Sequence, residues 1–127
     1  MPLPRLLLID DERALAEFLA AAATDSGFEP QVTQRDEEFR EAFLDQRPDM
    51  VALDLGMPGM DGVELIRFLA GEDYRAPVLI LSGFDRRVLQ SAFGLGEALG
   101  LNMVGPLEKP VRLDVLRDML SRVRETL

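Results

Sequence analysis

Three short unbroken apolar runs punctuate the chain: Leu6-Leu7-Leu8-Ile9, Met50-Val51-Ala52-Leu53 and Val78-Leu79-Ile80-Leu81. Runs of this length predict strands of a parallel sheet covered on both faces. Glu29-Pro30-Gln31-Val32-Thr33 is polar and carries a proline, which cannot donate to a ladder, so it predicts an edge strand. Leu101 to Glu108, interrupted by Gly105 and Pro106, predicts another edge. Between these runs the apolar period changes to that of helices. Leu15, Phe18, Leu19 and Ala22 mark the first, with Gly27 placed to end it. Phe39, Ala42 and Phe43 mark the second, opened by Asp36-Glu37-Glu38, whose charge suits the positive end of a helix dipole. Val63, Ile66, Leu69 and Ala70 mark the third, with Asp61 as N-cap and Gly71 as stop. A fourth runs from Arg86 to Leu99 and is closed by Gly100. The fifth shows Leu116, Met119, Leu120, Val123 and Leu127 on one face.

This alternation predicts an α/β fold, (βα)5, a doubly wound five-stranded parallel sheet with helices on both sides. The 127 residues are expected to form one domain, 1–127, without linker, repeat or low-complexity tract. Ligand chemistry in such folds lies beyond the C-terminal ends of the strands. The residues there are Asp10 and Asp11, Asp54, Ser82 and Lys109.

Charge and missing residue types narrow the chemistry. With 14 Lys and Arg against 23 Asp and Glu, the formal net charge is −9. Such a field predicts no direct binding to nucleic acid or to an anionic membrane surface. Zero Cys removes thiolate metal sites and thiol nucleophiles; zero His removes imidazole acid–base work. The Leu6–Ile9 run is too short for a signal segment or a membrane span, which favours the cytoplasm.

Where strands one and three are neighbours, Asp10, Asp11 and Asp54 converge. Three carboxylates in one pocket raise each other's pKa unless a positive charge joins them. A hard divalent cation, Mg²⁺ or Mn²⁺, meets that need with oxygen ligands. Lys109 adds an ammonium and Ser82 a hydroxyl. This set matches phosphoryl transfer, whose transition state asks mainly for positioning and charge stabilisation. Asp54 then serves as the in-line nucleophile, and Gly83 has no side chain to block the approach.

The constellation Ile9-Asp10-Asp11-Glu12, Asp54-Leu55-Gly56-Met57-Pro58-Gly59-Met60-Asp61-Gly62, Leu81-Ser82-Gly83 and Glu108-Lys109-Pro110 resembles response-regulator receiver domains over essentially the whole chain. The resemblance implies a flavodoxin-like sheet of order 2-1-3-4-5. It implies Asp54 as phosphoacceptor and a metal held by Asp10, Asp11, Asp54 and the backbone carbonyl of Gly56, with Asp11 direct and Asp10 largely through water. Ser82 would hydrogen-bond the phosphoryl group, Lys109 would pair with it, and the Lys109–Pro110 bond would be cis. The donor would be a phosphohistidine on a sensor histidine kinase or a histidine phosphotransfer protein. The output, a downstream domain or protein or a homodimer, would use the surface of helix four, strand five and helix five. A narrower resemblance, carried by Leu99-Gly100-Leu101-Asn102, Gly105, Leu107 and Glu108-Lys109-Pro110, is to receivers attached to EAL-type cyclic-di-GMP phosphodiesterases.

Two departures stand out. Receivers usually carry Tyr or Phe three residues before the lysine as a rotamer switch, and here that residue is Pro106. The interval from Ser82 to Lys109 is also longer than usual, which predicts an enlarged fourth helix or flank. Gly94 and Gly96 in that helix point to close packing or to a segment that changes shape.

The plain alternatives are helix caps for Asp10 and Asp11, a solvated loop acid for Asp54, a turn former for Ser82 and a surface lysine for Lys109. Met57 and Met60 read as packing or loop residues, Phe84 as packing ahead of a gate at the pocket mouth, and Arg86-Arg87 as a solvated helix start or a partner contact. Three functions compete. The first is a phosphoaccepting receiver, not a turnover enzyme. The second is a receiver-shaped interaction module without the phosphorylation switch. The third is a haloacid-dehalogenase-type hydrolase, disfavoured because Gly56 stands where a second Asp is needed. A nucleotide site is excluded by the acidic turn after strand one, which has no glycine-rich cradle.

Overall fold

The structure is a computed structural model and describes residues 2–56, 62–83 and 86–127. The expectations placed on Met57, Pro58, Gly59, Met60, Asp61 and Phe84 lie outside these residues. The elements alternate strictly: β1 (Arg5–Ile9), α1 (Arg13–Asp25), β2 (Glu29–Thr33), α2 (Asp36–Asp45), β3 (Met50–Asp54), α3 (Gly62–Gly71), β4 (Pro77–Ser82), α4 (Arg86–Ala98), β5 (Asn102–Glu108) and α5 (Leu113–Glu125). All strand pairs are parallel and the order is β2-β1-β3-β4-β5, with both predicted edge strands at the edges.

The unbroken apolar runs divide by parity, because successive strand side chains point to opposite faces. Leu7, Ile9, Val51, Leu53, Val78 and Ile80 pack with Phe39 and Phe43 of α2, Leu65, Ile66 and Leu69 of α3 and Leu89 of α4. Leu6, Leu8, Met50, Ala52, Leu79 and Leu81 pack with Leu19 and Ala22 of α1 and Leu116 and Leu120 of α5. Each four-residue run thus serves two cores. The polar β2 is exposed or half-buried except at Thr33.

Helix ends follow local chemistry, with two corrections. Gly27 and Gly100 take φ of +91° and +89° after α1 and α4, as expected of glycine beyond a helix end. Gly71 does not stop α3: the helix includes it, and Asp73 takes the left-handed turn at φ 55°. The N–H groups of Asp73 and Tyr74 then close on the carbonyls of Ala70 and Leu69. Aspartate tolerates this conformation because its short polar side chain bonds locally. Leu127 does not share the buried face of α5. The helix ends at Glu125, where Thr126 caps the Val123 carbonyl, and Leu127 is exposed.

The longer interval before Lys109 is not absorbed by α4, which has the same 13 residues as α1 and α5. Part of it is absorbed in β5. Leu79 pairs with Val104 but Leu81 pairs with Leu107, so Gly105 and Pro106 stand opposite Ile80 alone. This is a β-bulge. Gly105 sits there at φ +92°, and the Gly105–Pro106 and Lys109–Pro110 bonds are both cis, the latter as the resemblance implies.

Candidate functional site

Four strand ends bring the predicted residues together. Asp54 closes β3 and is paired with Leu81, and Ser82 closes β4 opposite Glu108. Asp10 follows β1; its N–H donates to the Thr33 carbonyl at the end of β2. Lys109 follows β5, and its N–H donates to the Ser82 carbonyl at 2.9 Å. Each side chain is therefore placed by a ladder or by a bond that continues one.

Asp10 and Asp54 are buried and Asp11 is exposed, yet one carboxylate oxygen of each lies within 4.8 Å of the others. The Lys109 ammonium reaches in from the far wall, with Nζ 2.9 Å from Asp54 Oδ2 and 3.4 Å from Asp10 Oδ2. Backbone amides hold the other oxygens: Glu12 N–H donates to Asp10 Oδ1 and Gly56 N–H to Asp54 Oδ1, both at 2.9 Å. So Asp10 does not cap α1 in the usual sense; it bonds the residue before the helix.

One ammonium cannot balance three carboxylates. Burial first, and the Asp54 charge after it, push the Asp10 carboxyl up to about 6 against the pull of the Glu12 N–H and Lys109. A cluster of hard oxygen donors with negative charge in excess fits a divalent cation such as Mg²⁺. Ser82 is buried at the end of β4, one residue past the pairing partner of Asp54. Gly83 is exposed, and a Cβ there would meet Lys109 Cβ at an ordinary 3.4 Å, so a small side chain would fit.

An open cleft of about 420 Å³ leads to Lys109, lined by Glu12, Leu15, Phe18, Gly83, Pro110 and Val111. Its walls are mainly apolar side chains of α1 and the turn after β5.

Two contributors were not foreseen. Thr33 anchors the site from below: its hydroxyl donates to the Leu8 carbonyl at 2.8 Å while its own carbonyl receives the Asp10 N–H. Its only signal in the sequence is its place at the end of a predicted edge strand. Arg86, read as solvated, pairs through Nε with Glu108 at 2.5 Å. Nothing in the spacing pairs them.

The chain is similar to known proteins along nearly its whole length. The response regulator receiver domain family model matches residues 6–121. The response regulator MprA of Mycolicibacterium vanbaalenii is 32% identical over 123 residues, 97% of this chain and 50% of that protein. The regulatory protein AtoC of Escherichia coli is 29% identical over 118 residues, 93% of this chain and 24% of that protein. The chain thus spans half or less of the length of these relatives. A response regulator from Colwellia psychrerythraea superposes with a TM-score of 0.80 at 32% identity, covering 98% of this chain and 99% of that one. Among the described residues no helix is long and apolar enough to cross a membrane. A match that runs from β1 well into α5 carries the whole sheet with it, and the chain belongs to the response regulator receiver domain family.

Proposed function

We propose that this chain is a phosphoaccepting receiver of two-component signalling, and that Asp54 takes a phosphoryl group from a phosphohistidine on a sensor histidine kinase or histidine phosphotransfer protein. The observation that carries the proposal is the Lys109 ammonium 2.9 Å from the Asp54 carboxylate, within a cluster of three carboxylates. An Asp54 oxygen forms the new P–O bond as the P–N bond to imidazole breaks; the imidazole keeps the electron pair of that bond and takes a proton from solvent, and Asp54 becomes an acyl phosphate. Asp10, Asp11, Asp54 and the Gly56 carbonyl would hold Mg²⁺ (or Mn²⁺), which supplies positive charge to the phosphoryl oxygens. Gly56 N–H fixes the acceptor carboxylate before transfer. Lys109 follows the negative charge outward from Asp54 to the phosphoryl group, and Ser82 donates its hydroxyl there. The cleft beside Lys109 gives the donor a path along α1. The chain acts as an acceptor that turns over no separate substrate, in the cytoplasm, and hands its state to an output domain, a downstream protein or a second copy.

With acetyl phosphate and Mg²⁺, intact-mass measurement should show one added phosphoryl group on the wild type and none on Asp54→Asn. Equal labelling of both would overturn the assignment.

Pro106 favours a second reading of the output. It sits half-buried in the bulge of β5, where a rotating aromatic side chain is usual in the family. The chain is then an interaction module whose α4, β5 and α5 surface does not follow the pocket. Amide NMR shifts with and without beryllofluoride and Mg²⁺ separate the two. Changes reaching α4 and β5 support the switch; changes confined to the pocket support the module.

A further inference from the structure

Beyond the bulge, β4 and β5 share only two register pairs, Leu81 with Leu107 and Ser82 with Glu108. Yet this short piece carries two of the groups that face the acceptor, Ser82 at its end and Lys109 immediately after. It is joined to the rest of the β4–β5 ladder through an irregularity that leaves one residue unpaired. Its far end is held to β4 by the Lys109 N–H bond to the Ser82 carbonyl, which leaves room for a side-chain fastening beside it.

One is present. Arg86, the first residue of α4, bonds Glu108, the last residue of β5. The placement of Arg86 runs against the helix: a cation in the first turn opposes the macrodipole, and no acidic residue in that turn offsets it. Its bonded partner instead lies on a different element, 22 residues away and next to the site lysine.

We infer that Arg86 is a positioning residue for phosphoryl transfer, clasping Glu108 so that the piece of β5 beyond the bulge holds Lys109 and Ser82 in place around Asp54. The inference rests on the acceptor role of Asp54 proposed above. Arg86 acts through Glu108 and the Lys109 backbone, without contact with the reacting atoms. Both side chains are largely exposed, at 70% and 49%, so the clasp is modest and salt-sensitive.

The test uses the full chain with Mg²⁺ and acetyl phosphate in low salt. Arg86→Gln and Glu108→Gln should each lower the maximal rate of Asp54 labelling by about two- to five-fold, the worth of an exposed pair, with the half-saturating donor concentration unchanged. Arg86→Lys should recover part of the rate. The exchange Arg86→Glu with Glu108→Arg should recover most of it, since the pair is re-formed with its ends reversed. Wild-type rates in both single variants, or an exchange variant slower than either, would overturn the inference.

Amide hydrogen exchange at Lys109, whose N–H bonds Ser82, gives a reading that needs no phosphorylation. Protection there should fall by a similar factor in Arg86→Gln and return in the exchange variant, while Arg122→Gln on α5 leaves it unchanged. Unaltered protection in Arg86→Gln would also overturn the clasp. If the wild type fails to label at all while Lys109 protection behaves as described, the acceptor assignment fails and the clasp itself stands.

Discussion

Met103 of β5 lays its side chain across Gly96 of α4 so closely that a Cβ built on Gly96 would lie 2.3 Å from the Met103 sulfur. Gly94, two residues earlier in the same helix, has nothing within 4 Å of such a Cβ. The two glycines therefore make opposite predictions. Gly94→Ala should stabilise the protein by about 0.5–1 kcal/mol, because alanine is the better helix former. Gly96→Ala gains the same propensity but displaces Met103, at an overpacking cost of about 1–3 kcal/mol, and should come out neutral to destabilising. Urea unfolding midpoints for the two variants check this.

Gly105 makes a sharper case. Its φ of +92° suits glycine, and a Cβ would fall 2.9 Å from Leu79 Cδ1 and 3.2 Å from the Leu107 backbone nitrogen. Gly105→Ala should cost about 1–3 kcal/mol. Because the bulge precedes Lys109, labelling of Asp54 should slow as well. An unchanged labelling rate would show that the bulge tolerates distortion without passing it to the lysine.

The raised carboxyl of Asp10 links stability to pH with a definite sign. Its value moves from 3.8 to about 6 on folding, so the native state binds the proton more tightly than the unfolded chain. The contribution is fully present below about pH 4 and is lost as pH rises through about 6. Added Mg²⁺ should restore stability above that range and do little below it. Thermal melts at several pH values, with and without Mg²⁺, should therefore differ between wild type and Asp10→Asn. The variant should gain relative stability in metal-free buffer at neutral pH and respond weakly to Mg²⁺.

Tyr74 is the single tyrosine and there is no tryptophan, so its ionisation can be followed by absorbance alone. Burial, with the Asp49 charge, pushes its phenol well above the usual range, and its O–H donates to the Pro48 carbonyl at 2.9 Å. The phenol should stay protonated until the protein unfolds in alkali. Tyr74→Phe should cost about 1–2 kcal/mol, since a buried carbonyl loses its donor. Labelling of Asp54 should be unaffected, because Tyr74 sits at the opposite end of β4 from Ser82.

The sheet and the meeting of the three carboxylates were legible because they rest on local patterns. Unbroken apolar runs announced β1, β3 and β4, and the polar Pro30 segment announced an edge. The residues just past those runs proved to be neighbours, as parallel strands require. Gly71 misled because a glycine at the end of an apolar period looks like a stop, whereas Asp73, two residues later, could take the left-handed turn. Leu127 misled because period alone does not say where a helix ends. Thr33 and the Arg86–Glu108 pair were silent, since both depend on which strand ends meet. The bulge was equally silent: Gly105 and Pro106 signalled an interrupted strand, but only the register against β4 shows that one residue is left over.

The parity of the strands has a consequence for how a change at Asp54 spreads. Residues 50–53 alternate between the layer of α1 and α5 and the layer of α2, α3 and α4. The sheet is a shared wall between two rooms, and Asp54 stands at its rim. A phosphoryl group added there would place extra negative charge where both rooms meet. Listeners docked on opposite sides of the molecule would hear the same event independently.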